Sequence, residues 1–446
     1  WASLTIATTT LTDKASYNWD VRAEDTSNAV SDRYPSETTT CRVTIDASAP
    51  PAPDVTSEDF PEATPDGGTW SKVKFGTTGS VTFESAGATK FIHSFSSQEP
   101  RTATATGGKA TVTDLKPRNA GPNSLEVVAY DAVGNPSVRT VYYMYVMPSD
   151  VADAPGDLTG DKMADLLLIN GEGRLRTCPS QPNGGLHTCL VSSYSTGNKL
   201  DPTGHWFDAA TNKTSLIAKY ADVYPGDGTT DLFVRHYDGS MWLYPGDGYG
   251  SFNVDDRIKI LLPSNTPATS TWTQMKAVGD ITGDKLPDLA IRAGSAFWLL
   301  SGYTGASFLT ATSMDTANWS TAEIVNIADV NLDGAPDMTF RKPDTGIMYI
   351  RHGKPGTVAG SVDLNSLKSA AASLKGVDTQ YGTNWTAANI TAIVGIPDVN
   401  GDKIPDMWAR RGTDGVVKVY YPNATDTGAA KDAIITANWA AMKGFA

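Results

Sequence analysis

Asp157-Leu-Thr-Gly-Asp-Lys-Met-Ala-Asp165 decides how most of the chain is interpreted, because the same pattern of residues returns further along it. The other intact copies are Asp280-Ile-Thr-Gly-Asp-Lys-Leu-Pro-Asp288, Asp329-Val-Asn-Leu-Asp-Gly-Ala-Pro-Asp337 and Asp398-Val-Asn-Gly-Asp-Lys-Ile-Pro-Asp406. A degenerate copy, Asp222-Val-Tyr-Pro-Gly-Asp-Gly-Thr-Thr-Asp231, carries one extra residue. A motif that recurs at long intervals is typical of proteins built from structural repeats.

The residues around each copy repeat as well. A strand follows each copy, and in four of the five it carries an arginine four residues after the last aspartate. These are Arg235, Arg292, Arg341 and Arg410, whereas Ile169 stands at this place in the first copy. A second strand then ends near a glycine, as at Gly246, Gly302 and Gly353. A tryptophan precedes each copy except the first: Trp206, Trp272, Trp319 and Trp385.

The end of the chain supplies what the first copy lacks, because Thr436-Ala-Asn-Trp439 matches Thr316-Ala-Asn-Trp319. A ring of β-sheets is stabilised when the last segment completes the first sheet, since both chain ends must then open together. Five copies with a borrowed terminal strand therefore predict a five-bladed β-propeller over residues 148–446. A seven-bladed ring would need two further blades that the sequence does not show.

Oxygen-bearing side chains occupy positions 1, 3, 5 and 9 of each intact copy, and position 7 can add a backbone carbonyl. Calcium collects six to eight oxygens from such loops, and carboxylates this close together repel one another without a cation. We expect about four calcium sites and a doubtful fifth, with magnesium disfavoured by its strict octahedral geometry. The alternative is a set of Asp and Asn turns that end strands. The expected ligands are Asp157, Thr159, Asp161, Met163, Asp165, Asp280, Thr282, Asp284, Leu286, Asp288, Asp329, Asn331, Asp333, Ala335, Asp337, Asp398, Asn400, Asp402, Ile404 and Asp406, with Asp227 and Asp231 in the degenerate copy.

The intact copies differ in the residue at position 6. It is Gly334 in one of them and Lys162, Lys285 or Lys403 in the others. Glycine accepts a left-handed turn at little cost, so we expect the lysines to strain their loops slightly. In the degenerate copy, Tyr224-Pro225 replaces an expected ligand and predicts weak metal binding or none.

The repeated pattern Asp-x-(Thr/Asn)-x-Asp-x-x-(Pro/Ala)-Asp, followed by an arginine-bearing strand, resembles the FG-GAP or VCBS repeat of secreted bacterial and integrin-like propellers. The resemblance covers residues 148–446. It implies calcium at the Asp, Thr and Asn positions named above, an extracellular location and a binding or adhesive role. It names no ligand, and of the literal family signatures only Gly334-Ala-Pro336 is present.

The residues before the repeats are also of β type. After the stiff linker Ala49-Pro-Pro-Ala-Pro53, residues 48–147 read as an immunoglobulin-like sandwich, in which Ser124–Asn135 resembles the penultimate strand and turn of bacterial domains of that kind. Residues 1–47 hold only three expected strands, at 4–11, 16–23 and 39–45. The segment 15–25 resembles the F strand of fibronectin type III-like domains. We therefore expect a partial sandwich that is completed by an upstream segment or partner chain.

The three cysteines fit this organisation. Cys178 and Cys189 flank a turn-like Gln-Pro-Asn-Gly-Gly, which predicts a local disulfide and an oxidising compartment. Cys41 is then left to pair with a cysteine upstream. The alternative, a bond from Cys41 to one of the other two, would need distant domains to meet.

Composition narrows the class of function. Net charge is −13 and no long basic run exists, which excludes a phosphate-neutralising nucleic-acid binder. No apolar run is long enough to span a membrane as a helix, and the one expected helix is 365–375. No His-Glu-x-x-His, Gly-x-Ser-x-Gly or phosphate-binding loop is present.

The repeated tryptophans either pack between blades or stack on sugar rings, and packing is favoured.

The sequence thus predicts an all-β, secreted, non-enzymatic and calcium-stabilised module that binds a surface glycan or protein. One alternative is the targeting arm of a larger secreted enzyme or toxin assembly. The other is a hydrolase or lyase with an active site on a face of the propeller. No nucleic acid and no membrane span are expected, and the segments 173–215 and 354–384 are the candidate specificity loops.

Overall fold

A computed structural model describes residues 5–7, 10–35, 41–64, 69–95, 99–118, 120–196, 199–223, 226–434 and 439–446. These residues are almost entirely strand and loop, as predicted. The helical elements in the described ranges are α1 (Leu364–Lys368) and the 3-10 turns Thr269–Thr271 and Ala370–Ala372, and Thr10 is also in 3-10 conformation. The expected helix over 365–375 is therefore a short α-helix followed by a separate turn. No helix within these ranges is long and apolar enough to cross a membrane.

The chain forms two compact units. The first comprises Trp1–Glu62, Thr78–Leu115 and Ser124–Tyr143, and the second comprises Ala63–Thr77, Lys116–Asn123 and Met144–Ala446. The strands up to the start of the repeats are β1 (Ser16–Trp19), β2 (Cys41–Thr44), β3 (Asp54–Thr56), β4 (Gly79–Glu84), β5 (Lys90–Phe95), β6 (Arg101–Thr104), β7 (Lys109–Leu115), β8 (Gly121–Tyr130) and β9 (Thr140–Val146).

These strands form three antiparallel groups. The strand pair β1-β2 stands alone, and the expected strand over 4–11 lies partly outside the described residues, with 5–7 in loop. The two further sheets have the orders β3-β4-β7 and β6-β5-β8-β9. Alternate residues of β8, including Leu125, Val127 and Ala129, are fully buried, as the predicted core face requires. His93 is also buried, which supports its structural interpretation.

The repeat region contains the remaining strands. They are β10 (Leu166–Ile169), β11 (Leu175–Cys178), β12 (Leu190–Val191), β13 (Ser193–Ser195), β14 (Lys199–Leu200), β15 (Phe207–Asp208), β16 (Lys213–Thr214), β17 (Leu216–Lys219), β18 (Leu232–Arg235), β19 (Met241–Tyr244), β20 (Phe252–Asn253), β21 (Ile258–Lys259), β22 (Trp272–Gly279), β23 (Asp288–Ala293), β24 (Ala296–Tyr303), β25 (Phe308–Asp315), β26 (Glu323–Ala328), β27 (Asp337–Lys342), β28 (Ile347–Arg351), β29 (Thr379–Gly382), β30 (Ile390–Ile396), β31 (Asp406–Arg411), β32 (Val417–Tyr421), β33 (Ala429–Asp432) and β34 (Gly444–Phe445).

Twenty of these strands build five antiparallel sheets of four strands each. In order they are sheet one (β34-β10-β11-β12), sheet two (β17-β18-β19-β21), sheet three (β22 to β25), sheet four (β26 to β29) and sheet five (β30 to β33). The C-terminal strand joins sheet one, with Phe445 opposite Leu168. The end of the chain is thus paired with its first repeat, and no sheet of the described residues closes on itself.

Five hydrophobic clusters lie between consecutive sheets, and each contains one repeat tryptophan. Trp206 packs between sheets one and two, Trp272 between two and three, Trp319 between three and four, and Trp385 between four and five. Trp439 packs between sheets five and one. Every sheet is therefore covered on both faces, which explains why β10 is an uninterrupted apolar run and why every residue of β10 and β18, including Arg235, is buried.

The repeated arginines connect each sheet to the next. Arg341 in sheet four donates to the carbonyl oxygens of Trp385 and Ile390 in and beside sheet five. In the same way Arg235 donates to Trp272 O, Arg292 to Ala322 O and Arg410 to Trp439 O. The sheet-one position holds Ile169, so this connection is absent there. A guanidinium offers several fixed donors, which suits it to hold two backbone carbonyls at once.

We expect Arg341→Met to destabilise the second unit by about 2–4 kcal/mol, because Arg341 is 2% exposed and also pairs with Glu323. The substitution leaves two buried carbonyls without a donor. Urea unfolding followed by tryptophan fluorescence measures the effect. Arg411→Met is the matched control, since Arg411 forms an exposed pair with Asp414 and its loss should leave the unfolding midpoint nearly unchanged. Equal midpoints for the two variants would contradict the inter-sheet role.

Candidate metal centre

The aspartate motifs form the turns that enter the second strand of each sheet. We name them loop 1 (157–165), loop 2 (222–231), loop 3 (280–288), loop 4 (329–337) and loop 5 (398–406). In loops 3 to 5 the last aspartate is also the first residue of β23, β27 or β31. All five motifs therefore take the same place in their sheets.

The first aspartate of each intact loop organises the turn through its carboxylate. In loop 3, Asp280 Oδ1 accepts from the N–H of Gly283 at 2.6 Å, and its Oδ2 accepts from the N–H of Lys285 at 2.7 Å. The sixth residue is left-handed in every intact loop, with φ of 70° at Lys162, 68° at Lys285, 89° at Gly334 and 72° at Lys403. The three lysines thus adopt a conformation that costs a side-chain-bearing residue free energy, as the sequence predicted.

Hydrogen bonds also join the residues at positions 3, 5 and 7 to one another or to the first and last aspartates of the loop. The fifth aspartates accept from the N–H of the seventh residues, in the pairs Asp161–Met163, Asp284–Leu286, Asp333–Ala335 and Asp402–Ile404. Thr159 Oγ1 donates to Asp165, while Thr282 Oγ1 lies 3.5 Å from Asp280. Asn331 and Asn400 donate to Asp333 and Asp402. The predicted ligands of each intact loop therefore lie within one tight turn.

The last aspartate of each loop is buried, and in loops 1, 2 and 3 it accepts hydrogen bonds from two directions. In loop 3, Asp288 Oδ2 accepts from the N–H of Ile281, and its Oδ1 accepts from the N–H of Gly302 at the end of β24. Equivalent bonds join Asp165 to Ser180, Asp231 to Gly246 and Asp337 to Gly353. In sheet five, where Met407 lies opposite Tyr420, the same register puts Tyr421 opposite Asp406, and the next residue, at the place of the donating N–H, is Pro422, which has no N–H.

The bond from the last aspartate to the strand end explains why a glycine stands there, at the end of the second strand after the motif. At Gly246 and Gly353 a Cβ atom would collide with the carbonyl oxygen of the residue before the last aspartate, Thr230 or Pro336. At these two positions glycine lets the backbones approach closely enough for the carboxylate to accept the bond, whereas in sheet one Ser180 donates at the corresponding place. Sequence analysis noted the glycines but did not connect them with the aspartates.

Burial makes the last aspartates difficult to ionise. Loss of solvation raises the pKa of Asp288, Asp337 and Asp406 to about 7, and repulsion from the other aspartates of each loop adds to this. In loop 4, Asp337 Oδ2 is buried and accepts no hydrogen bond of normal geometry, although the nearby N–H of Val330 lowers the pKa of Asp337. His352 Nδ1 lies 3.4 Å from the other oxygen, Oδ1. A cation beside Asp337 would offset the cost of its buried charge.

Loop 1 differs from loops 3 to 5 because positively charged side chains lie beside its aspartates. Asp157, Thr159 and Asp165 are fully buried. Desolvation, with repulsion from Asp165 and Asp157, raises the pKa of Asp161 to about 9, while the charge of Arg118 acts in the opposite direction. Lys219 donates to Gly156 O and attracts Asp165 and Asp157. Part of the negative charge of loop 1 is thus offset by the chain itself, through two residues that sequence analysis missed.

Loop 2 lacks the shared geometry. Asp227 is exposed and accepts from Thr229, whereas Asp231 is buried and accepts from the N–H of Val223 and Gly246. Tyr224 and Pro225 lie outside the described residues. Asp153, which sequence analysis did not select, accepts from Thr230 N–H, and burial together with the nearby Asp157 raises its pKa to about 7. Loops 1 and 2 are therefore linked by an extra carboxylate.

The donors of loops 3 to 5 fit a hard cation, since all are carboxylate, amide, hydroxyl or carbonyl oxygens. In the described part of the chain, no three His, Cys, Asp or Glu side chains converge as a preformed metal cluster. Asp337 Oδ2 is the clearest single oxygen that such an ion would satisfy. The first aspartates of loops 3, 4 and 5 also line a cavity of 470 Å³, together with Lys219 and Asn326.

The cysteines and tryptophans have structural positions. Cys178 and Cys189 are bonded to each other, and Cys41 has no disulfide partner among the described residues. Six of the eight tryptophans from Trp206 onward are buried at 3% exposure or less, and only Trp242 and Trp298 are partly exposed. The six buried tryptophans therefore serve packing between sheets.

Comparisons with known proteins assign no family. No family model matches the sequence, and no curated protein matches it. Among solved structures, the FN1–FN3 domains of chicken CNTN1 are similar with 13% identity and a TM-score of 0.15, over 55% of this chain and 75% of that one. TcdB2-TccC3-TEV is similar with 13% identity and a TM-score of 0.25, over 90% of this chain and 20% of that one. Neither superposition is close enough to assign a function.

We expect Asp337→Asn to stabilise the metal-free protein at pH 8, less so at pH 5 and least below pH ~4. The folded-state pKa of Asp337 is about 7 and lies above the ordinary aspartate value of 3.8, so the folded state holds its proton to higher pH than the unfolded chain does. Its contribution to stability is full below pH ~4 and is lost as the pH rises through about 7. Melting temperatures of extensively chelated and dialysed protein measure this.

Asp344→Asn is the control, because Asp344 is exposed in the next turn of the same sheet. It should leave the pH profile of stability unchanged. If Asp337→Asn instead destabilises the metal-free protein at pH 8 as much as at pH 5, the buried carboxylate is not a source of instability.

Proposed function

We propose that residues 148–446 form a five-bladed β-propeller of the FG-GAP or VCBS type, with β34 completing the first blade. The observation that carries this proposal is the cyclic order of the five hydrophobic clusters, the last of which joins sheet five to sheet one. The strands at the inner edge of the sheets also touch in cyclic order: β17, β22, β26, β30 and β34, with β34 in contact with β17. This arrangement is what a blade-by-blade ring requires.

We propose further that calcium occupies the intact loops. The support comes from loops 3 to 5, where buried carboxylates lack a nearby protein cation able to offset all of their charge. Loop 1 has Arg118 and Lys219 beside it and is proposed to bind calcium more weakly, while loop 2 remains the doubtful site. When bound, calcium would neutralise the carboxylates and hold each turn against the strand that follows.

The function proposed for the module is non-enzymatic binding of a surface glycan or protein outside the cell. The aspartates are engaged in holding backbone turns and are not arranged as an acid–base pair. The disulfide between Cys178 and Cys189 supports an oxidising compartment. Since the tryptophans are mostly buried, a protein ligand is now favoured over a stacked sugar, and a polar ligand would fit the 470 Å³ cavity beside loops 3 to 5.

A targeting role within a larger secreted enzyme or toxin assembly is the second candidate. The isolated β1-β2 pair supports it, since two strands alone do not form a stable sandwich and Cys41 remains available for an upstream partner. A hydrolase or lyase site at the propeller face has no comparable support.

Binding to arrayed glycans and to bacterial-envelope proteins, in calcium and in chelator, tests the function. We expect calcium-dependent capture of a protein component, because chelation should loosen the loops that border the cavity. Calcium-dependent binding to one glycan class would instead establish a lectin. Binding of equal strength in chelator, with the calcium-free protein still folded, would contradict a calcium-stabilised binding face.

A further inference from the structure

Sheet two contains a cluster of nitrogen and oxygen atoms that is separate from the aspartate loops. His236 directly follows β18, Tyr244 ends β19, and His205 lies just before β15. His236 Nε2 is 3.5 Å from His205 Nε2, and His205 Nε2 is 2.8 Å from the hydroxyl oxygen of Tyr244. His236 and Tyr244 are buried, whereas His205 is partly exposed, so the cluster can be reached from solvent.

Hydrogen bonds do not satisfy all three groups. A neutral imidazole Nε2 has either one proton or one lone pair, so His205 Nε2 can make one good bond. Arg257 donates to the Tyr244 oxygen at 3.3 Å, which leaves the tyrosine O–H to point at His205. The remaining contact, from His236 Nε2 at 3.5 Å, is too long to be a strong bond. The His236 nitrogen is therefore directed into the cluster without a short partner.

We propose that His205 and His236 chelate a transition-metal dication of the Zn²⁺ or Cu²⁺ class, with the Tyr244 oxygen as an adjacent third ligand. Two nitrogens bound at about 2.0–2.1 Å to a tetrahedral ion lie about 3.4 Å apart, close to the 3.5 Å observed between the imidazoles. Imidazole nitrogen suits zinc and copper, whereas calcium takes oxygen ligands. The site therefore selects a different metal from the aspartate loops.

The surroundings are compatible with this ion. Burial lowers the pKa of His205 to about 4 and lowers that of His236, so both imidazoles are neutral at pH 7. Arg257 adds a positive charge, which opposes the ion, while Asp238 and Asp255 add negative charges that favour it. Water must complete the coordination, so binding should be weaker than at a closed four-ligand site.

Titration of the tag-free full chain with Zn²⁺ and Cu²⁺, in saturating calcium, tests the proposal. Calcium keeps the aspartate loops out of the measurement. We expect one site, imidazole nitrogen coupling in the Cu²⁺ paramagnetic resonance spectrum, and a loss of more than about tenfold in affinity for His205→Gln and for His236→Gln. His187→Gln is the control, because His187 lies in the sheet-one region, and it should bind like the unmodified chain.

A second measurement needs no variant. Zn²⁺ should protect His205 and His236 from diethyl pyrocarbonate while leaving the labelling of His187 unchanged. This measurement still tests whether His205 and His236 bind the ion if either glutamine variant fails to fold. Unchanged affinity in both variants, or labelling of His205 and His236 that Zn²⁺ does not slow, would overturn the proposal and show that the ions bind adventitiously.

Discussion

A buried aspartate at the end of each motif is the constraint on which the repeat structure depends. In loops 1, 2, 3 and 5 one of its oxygens accepts from a backbone N–H of the same loop. In sheets one to four an oxygen accepts from the backbone at the end of the second strand after the loop. The same carboxylate therefore sets the turn and the separation of two strands. Its burial makes that charge costly, and this cost is the physical reason to place a cation beside it.

The sheets are held to one another by a different set of residues. A tryptophan fills the space between each pair of neighbouring sheets, and in four of five cases an arginine of the preceding sheet donates to backbone carbonyls beside that tryptophan. Apolar packing and a charged donor thus act at the same junction. Between sheets one and two the arginine is replaced by Ile169, and Trp206 packs in the apolar cluster there while its indole N–H donates to Ser193 Oγ.

Much of this arrangement could be predicted from the sequence because it is local or repeated. The left-handed residue at position 6, the core face of β8 and the terminal strand beside Leu168 all follow from short-range pattern or from comparison between copies. The contacts of Arg118 and Lys219 with loop 1 could not be predicted, since they join segments that only the tertiary fold brings together. The pairing of Asp288 with Gly302 left a signal in the glycine spacing, but its meaning needs the register of the sheet.

Counting calcium ions bound per chain tests the central claim most directly. Metal-free protein would be titrated by flow dialysis at pH 7.5, where the buried carboxylates are most in need of a counter-charge. The account predicts at least three ions per chain, one for each of loops 3, 4 and 5, with loop 1 filling later. No saturable calcium binding to a folded chain would contradict it, and the motifs would then be hydrogen-bonded turns alone.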